Sequence, residues 1–303
     1  MLSVSSALGD RVHTLIALIT GRSADFAAKS ALPGLAAPNA RNQDLTPIAA
    51  VVALLCLVGT PARADEIRVM TSGASAAAYL ALVPEFERNT HHTLRTDAIS
   101  TGVGADTISA RVRRGEPIDV VIVSRAQLDD LIADGKVLGD SRVDLARSAI
   151  GMAVRAGAPK PDISSVAALK RLLLQTRSIA YSSSVSGTYL TMELFPRLGI
   201  ANEVAEKSVR VEREPVGNVV ARGEAEIGFQ QVSELLAVKG ITFVGPLPGD
   251  AQRITVFSAG VAAASKNPEA ARALIRFLAS PTGVRAMRTS GLDPIAQEPP
   301  RER

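Results

Sequence analysis

Two long apolar passages, RVDLARSAIGMAVRAG (142–157) and RITVFSAGVAAAS (253–265), most constrain what this chain can fold into. Both are strand-like in composition and unusually long for a single strand, for which five or six residues is the common length. The sequence around them alternates. Before the first passage, EIRVMTS (66–72) reads as a strand and AAAYLALVPEFERNT (76–90) as a helix. That helix has Tyr79, Leu80, Val83 and Phe86 on one face. HTLRTDAIS (92–100) follows as a strand and TISARVRRG (107–115) as a helix stopped by Gly115. IDVVIVS (118–124) is a continuous apolar run of the kind found in buried parallel strands, and AQLDDLIADGKV (126–137) is a short amphipathic helix. Between the passages come the strands SIAYSS, SVRVE, AEIGFQQ and ITFVGPL. The helices SVAALKRLLLQT, GTYLTMELFPRLG, VGNVVARGE and VSELLAV are interleaved with them. Such βαβ alternation predicts parallel sheets with helices on both faces. Two α/β blocks joined by two extended passages predict a two-lobed chain that crosses between lobes twice. Lobe 1 is expected from 65–147 plus 256–303, and lobe 2 from 148–255.

Residues 1–64 stand apart. IAAVVALLCLV (48–58) is too short to span a bilayer, which takes about 20 apolar residues. Its length suits the core of a signal peptide, and Ala62-x-Ala64 supplies a small-x-small cleavage pattern. The expectation is a leader and signal peptide cleaved near Ala64, with export to the periplasm. Cys56 is the only cysteine, so the mature chain would hold none. Thiol nucleophiles and thiolate metal sites are thereby excluded, and no metal site is expected. The net charge of +4 comes from 34 basic against 30 acidic residues in scattered positions, with only 3% aromatics. This is no nucleic-acid footprint. There is no HExxH, P-loop or nucleophile elbow, and Gly102-x-Gly104 does not extend to a dinucleotide fingerprint. The chain is expected to need no cofactor and to be a monomer.

Small, polar, glycine-bearing junctions occur where strands give way to helices. They are Ser72-Gly73, Ser100-Thr101-Gly102, and the stretch SSSVSGTY (182–189); a fourth, PVGN (215–218), opens a helix. None of the four brings an Arg or Lys into the turn. Hydroxyls and free N–H groups at helix starts attract anions, although the same residues serve as helix caps. In a two-lobed α/β protein, ligands bind where strand C-termini and helix N-termini converge.

These residues resemble a known family. IRVMTSGAS, STGVGADTISARVRRGEPIDVVIVS, ARGEAEIGF and the tail AASKNPEAARALIRFLASPTGVRAMRTSGLDP are similar to the periplasmic molybdate-binding proteins of ABC transporters. Those belong to the type-two periplasmic binding proteins. The likeness covers residues 65–294. It implies a venus-flytrap fold with two crossover strands, a small anionic ligand and an ABC permease as partner. Ala74 stands near the family's first serine, flanked by Ser72 and Ser75, and Gln230 or Gln231 stands where the family has a tyrosine. VDLARSAIGMAVRAGAPKPDIS, GEAEIGFQQVSELL and FVGPLP resemble the aconitate isomerase branch of the same superfamily. That branch implies a tricarboxylate ligand and an allylic proton shift, which requires a base and a stabiliser of developing charge.

The candidate ligand contacts are Ser72, Gly73, Ser100, Thr101, Ser182, Ser184, Ser186, Gly187, Thr188, Tyr189, Val216, Gly217 and Gln230. Tyr189 is also the candidate proton carrier, with Glu193 a turn beyond it, while His91 and His92 are expected at the surface. Gly187 is expected to let an anion approach the backbone, so that Gly187→Val would block ligand without harming the fold. No residue compels chemistry. The sequence therefore favours a solute carrier, with the isomerase as the alternative.

Overall fold

The computed structural model of the chain describes residues 64–98 and 106–296. Ser100, Thr101 and the signal-peptide core lie outside the described residues. The first block runs β1 (Glu66–Thr71), α1 (Gly73–Thr90), β2 (Thr93–Ala98), α2 (Ile108–Arg113), β3 (Val120–Ser124), α3 (Arg125–Ala133) and β4 (Val143–Ser148). The second comprises β5 (Ile150–Arg155), α4 (Val166–Gln175), β6 (Ile179–Ser182), α5 (Val185–Tyr189), α6 (Phe195–Arg197), α7 (Ala201–Ala205), β7 (Ser208–Val211), α8 (Val216–Ala221), β8 (Ile227–Gln231), α9 (Val232–Leu236) and β9 (Ile241–Pro246). The chain then returns through β10 (Thr255–Val261), α10 (Pro268–Leu278), α11 (Pro281–Thr289) and β11 (Asp293–Pro294).

Two sheets result. One has the order β11-β4-β10-β3-β1-β2 and the other β7-β6-β8-β5-β9. The first long passage is divided between them: β4 ends at Ser148 in one sheet and β5 starts at Ile150 in the other, with Ala149 between. The expectation of parallel sheets holds for only part of each. β2, β1 and β3 run parallel, as do β7, β6 and β8, but β10 is antiparallel to β3 and β4. β5 is likewise antiparallel to β8 and β9. A parallel neighbour needs a helical crossover, whereas a strand arriving from the other sheet has none and inserts in the opposite sense.

Both sheets are covered on two faces, because alternate side chains point to opposite sides. In β3, Val120 and Ile122 join Ile67, Val69, Tyr79, Phe86 and Leu274. Val121 and Val123 join Met70, Ile108, Leu128 and Leu131 on the other side. The second sheet does the same with Ile150, Met152, Ile179 and Phe229 against Ala180, Val216 and Val220. Leu80, expected on the inner face of α1, is 46% exposed. The inner face follows Ala78, Tyr79, Leu82 and Phe86, and Leu80 lies about a quarter turn round from Tyr79 at 3.6 residues per turn.

Where the chain crosses, Gln252 ties the two passages together. Its side chain accepts from Ile150 N at 2.8 Å and donates to Ile150 O at 2.9 Å, as a neighbouring strand would.

Candidate functional site

The parallel strands of each sheet end side by side. In the first sheet Thr71 pairs with Ile122, so Ser72 and Ser124 stand at adjacent strand ends. Ser72 N donates to Ile122 O at 2.7 Å and its buried hydroxyl meets Ser75 Oγ at 3.4 Å. Ser124 caps α3: its Oγ accepts from Gln127 N at 3.4 Å and donates to Gln127 Oε1 at 2.9 Å. In the second sheet Tyr181 pairs with Phe229, which sets Ser182 beside Gln230.

The serine run after β6 is not a helix cap. Ser184 precedes α5 with extended backbone and no side-chain bond into the helix. Its hydroxyl lies 2.8 Å from Ser182 Oγ, which lies 2.9 Å from Ser186 Oγ. Ser186 is wholly buried and serves this internal chain. Ser183, Ser184, Thr188 and Tyr189 instead line a cavity of about 530 Å³ shared with Ser124, Arg125 and Gln127 of the first lobe and Arg253 and Thr255 of the crossover. Arg125 pairs with Asp144 at 3.0 Å, and Arg253 pairs with Glu193. The Arg253 guanidinium sits 4.6 Å from the centre of the Tyr189 ring, a cation–π stack. The Tyr189 hydroxyl, the candidate proton carrier, is engaged with Ala251 O at 3.1 Å and receives Arg197 Nη2 at 3.2 Å. Its ring serves the cavity; its hydroxyl is occupied elsewhere.

Gly187 does not have the open surroundings expected of it. A Cβ there would overlap the carbonyl oxygen of Ser182, so the close approach is to the protein's own backbone. Gly187→Val would break the turn that holds the serines rather than spare the fold. Gly217 is similarly enclosed, with Val238 about 2.9 Å from where a Cβ would stand.

A second group of residues, none of which lines the cavity, joins the lobes. Val216 N donates to Gln230 Oε1 at 2.8 Å, and Gln230 Nε2 donates to Glu234 Oε1 at 2.8 Å. Glu234 reaches across to the first turn of α1, where a Cβ on Gly73 would collide with its carboxyl. The neighbouring Ser233 Oγ donates to Ala74 O at 2.8 Å. Burial pushes the Glu234 carboxyl up to about 7, against the opposing hydrogen bonds of the Gln230 side chain and Gln231 backbone. Gln231 turns the other way, its Nε2 3.4 Å from Thr255 Oγ1 and its Oε1 without a protein partner.

Thus Ser184, Thr188 and Tyr189 meet in the cavity, while Gly73 and Gln230 contact Glu234, with Ser72 next to Gly73 in the chain and Val216 bonded to Gln230. Ser182, Ser186, Gly187 and Gly217 support the turns behind them. His91 is exposed at the end of α1, and partly buried His92 accepts from Asp65 N at 3.1 Å. Among the described residues no cluster of three or more His, Cys, Asp or Glu is arranged to hold a metal ion. Sequence reasoning missed Ser124, Arg125, Arg253 and Glu234. VIVS-RAQ is one more strand–serine–helix junction, and it does bring an arginine to the turn.

The family of bacterial extracellular solute-binding proteins matches residues 67–293. The chain belongs to this family. A protein of Pseudomonas sp. named aconitate isomerase is 45% identical over 258 residues, which cover 84% of this chain and 98% of that protein. Among solved structures, the periplasmic molybdate-binding protein of Azotobacter vinelandii superposes with a TM-score of 0.61 at 19% identity, over 77% of this chain and all of that one. The sulfate-binding protein SubI of Mycobacterium tuberculosis H37Rv gives 0.61 at 20% identity, over 76% of this chain and 87% of that one. The two sheets are the two lobes of a periplasmic binding protein fold.

Proposed function

We propose that this family member binds a small polycarboxylate between its lobes and isomerises it, interconverting trans- and cis-aconitate by an allylic proton shift. The observation that carries this is the 45% identity over 98% of a protein named aconitate isomerase. A match of that span takes in both sheets and the cleft they form. The cavity agrees with it chemically. Arg125 and Arg253 suit carboxylates, which guanidinium groups bind in a planar, often bidentate manner. Ser183, Ser184 and Thr188 add hydroxyl groups. A cavity of about 530 Å³ lies within the usual range for small-molecule sites. Lobe 1 is built on the sheet of β1–β4, β10 and β11 and lobe 2 on the sheet of β5–β9, and Ser72 approaches the ligand from the first. The mature chain is exported after cleavage near Ala64.

A carrier that only binds, handing an anion to a membrane permease, is the second reading, favoured by the family itself. One assay separates the two. The chain from residue 65 is incubated with trans-aconitate and the appearance of cis-aconitate is followed. Turnover above the buffer rate is expected. Its absence, with thermal stabilisation by molybdate or sulfate but not by aconitate, refutes the isomerase and leaves the carrier.

A further inference from the structure

We infer that Glu234 is the catalytic base of this site, the carboxyl that lifts a proton from one carbon of the bound acid and returns one to another. The inference rests on the isomerase reading and adds the residue that does the chemistry. Four observations support it. Glu234 is held where the lobes meet, with Gly73 at the start of α1 facing its carboxyl. The strand ends that carry Ser72 and Gln230 flank it, and each adjoins a strand end that lines the cavity or its serine turn. Its orientation is fixed: Val216 N can only donate, so Gln230 must offer Oε1 to it and Nε2 to Glu234. Burial also keeps a large share of the carboxyl protonated near neutral pH, so that it can both accept and deliver a proton.

The groups facing the carboxyl are Gly73 from α1, the Gln230 side chain and the Gln231 backbone from β8, with Ser233 beside it on α9. No charged side chain is among these. The neighbours are therefore neutral, and desolvation sets the proton affinity. A helix supplies no partners for its first N–H groups, here those of Gly73 and Ala74 in the 18-residue α1, and Gly73 lies against the Glu234 carboxyl. A substrate carboxylate docked there would receive their hydrogen bonds and lie next to Glu234.

The step balances without any co-reactant. The ionised carboxylate takes a proton from the methylene carbon: that C–H bond breaks and an O–H bond forms. The electron pair spreads over the three-carbon allyl unit and its carboxylates, with the charge stabilised by the helix start. The carboxylic acid then gives a proton to the former vinylic carbon, the double bond moves one position, and the carboxylate is restored.

The test is Glu234→Gln, which keeps the size of the side chain and its acceptor for Gln230. Turnover of trans-aconitate and exchange of its methylene protons with D2O, read by NMR, are expected to fall by about 10²- to 10⁴-fold, the usual worth of general acid–base catalysis. Binding of trans-aconitate, read by calorimetry, should stay within about threefold, as expected when only the proton carrier is lost. Glu234→Asp should retain part of the turnover and shift the acidic limb of the kcat profile. Wild-type turnover matched by Glu234→Gln overturns the assignment and leaves the isomerase standing. A wild-type protein without turnover or exchange overturns both. Should Glu234→Gln fail to bind or fold, Glu234→Asp decides: an unchanged pH profile overturns the assignment, and a shifted limb with KM preserved supports it.

Discussion

Replacing Glu234 by Gln is expected to stabilise the ligand-free protein at pH 8 and to leave its stability at pH 4 almost unchanged. Burial moves this carboxyl from an ordinary 4.5 to about 7. At about 1.36 kcal/mol per unit, holding Glu234 ionised in the folded chain costs about 3 kcal/mol. The sign follows from proton counting. Between 4.5 and 7 the folded state keeps a proton that the unfolded state has released. Stability is therefore full below that window and declines as pH rises through it. The figure is an upper one, since partial separation of α9 from the start of α1 lets water reach the carboxylate. The chain has no tryptophan, so urea unfolding is best followed by far-ultraviolet circular dichroism at steps from pH 4 to 8. Wild type should lose stability relative to the variant between about pH 5 and 7, and the gap should then level off. Parallel pH dependences for the two proteins would refute the claim that Glu234 is held in a desolvated lobe contact.

Arg253→Ala should raise KM for aconitate about tenfold or more, since a hydrogen bond to a charged group is worth roughly 1.5–3 kcal/mol; unchanged KM in steady-state kinetics would remove Arg253 from the site. Gly187→Ala should destabilise the fold by about 1–3 kcal/mol, the usual cost of overpacking, and a urea midpoint equal to wild type would show that the Ser182 carbonyl can move aside. Ser72→Ala should weaken ligand binding about tenfold by the same hydrogen-bond measure, read by calorimetry. The intact mass of the exported protein should correspond to a chain beginning at Asp65, and a mass that retains Cys56 would contradict cleavage near Ala64.

How far the site was legible depended on how local its signals are. Ser72-Gly73 and the serine run were visible because small polar residues follow apolar strands directly, and the strand ends do converge. Arg125 carried the same local signal, one residue past the serine that ends β3. Glu234 carried no such signal. Read in sequence it is an acidic residue in the first turn of a short helix, where carboxylates commonly sit in water. Its surroundings come from Gly73, far away along the chain, and the companion bond from Ser233 to Ala74 spans 159 positions. Arg253 and Glu193, 60 residues apart, meet only because the chain returns through the crossover. The inserted antiparallel strands were hidden for a related reason: a long apolar run shows that a segment is extended, not which sheet each half joins. Gly187 was read by residue type as open to a ligand, when its neighbour is the carbonyl five residues back.

The clamp of Gln252 on Ile150 limits how the molecule can move. A single residue, Ala149, makes the first crossing, and the second is bonded through Gln252 to both backbone groups of Ile150, so the two crossings lie side by side. Two crossings placed together would favour rotation about the line through them over other motions of the lobes. The length of a molecule bound as proposed would then bear on that angle. A compact tetrahedral anion and an elongated acid would stop the rotation at different points and turn different outer faces of the two lobes toward whatever meets them. Substrate size would thereby be read out as external shape, with no relay of side chains required.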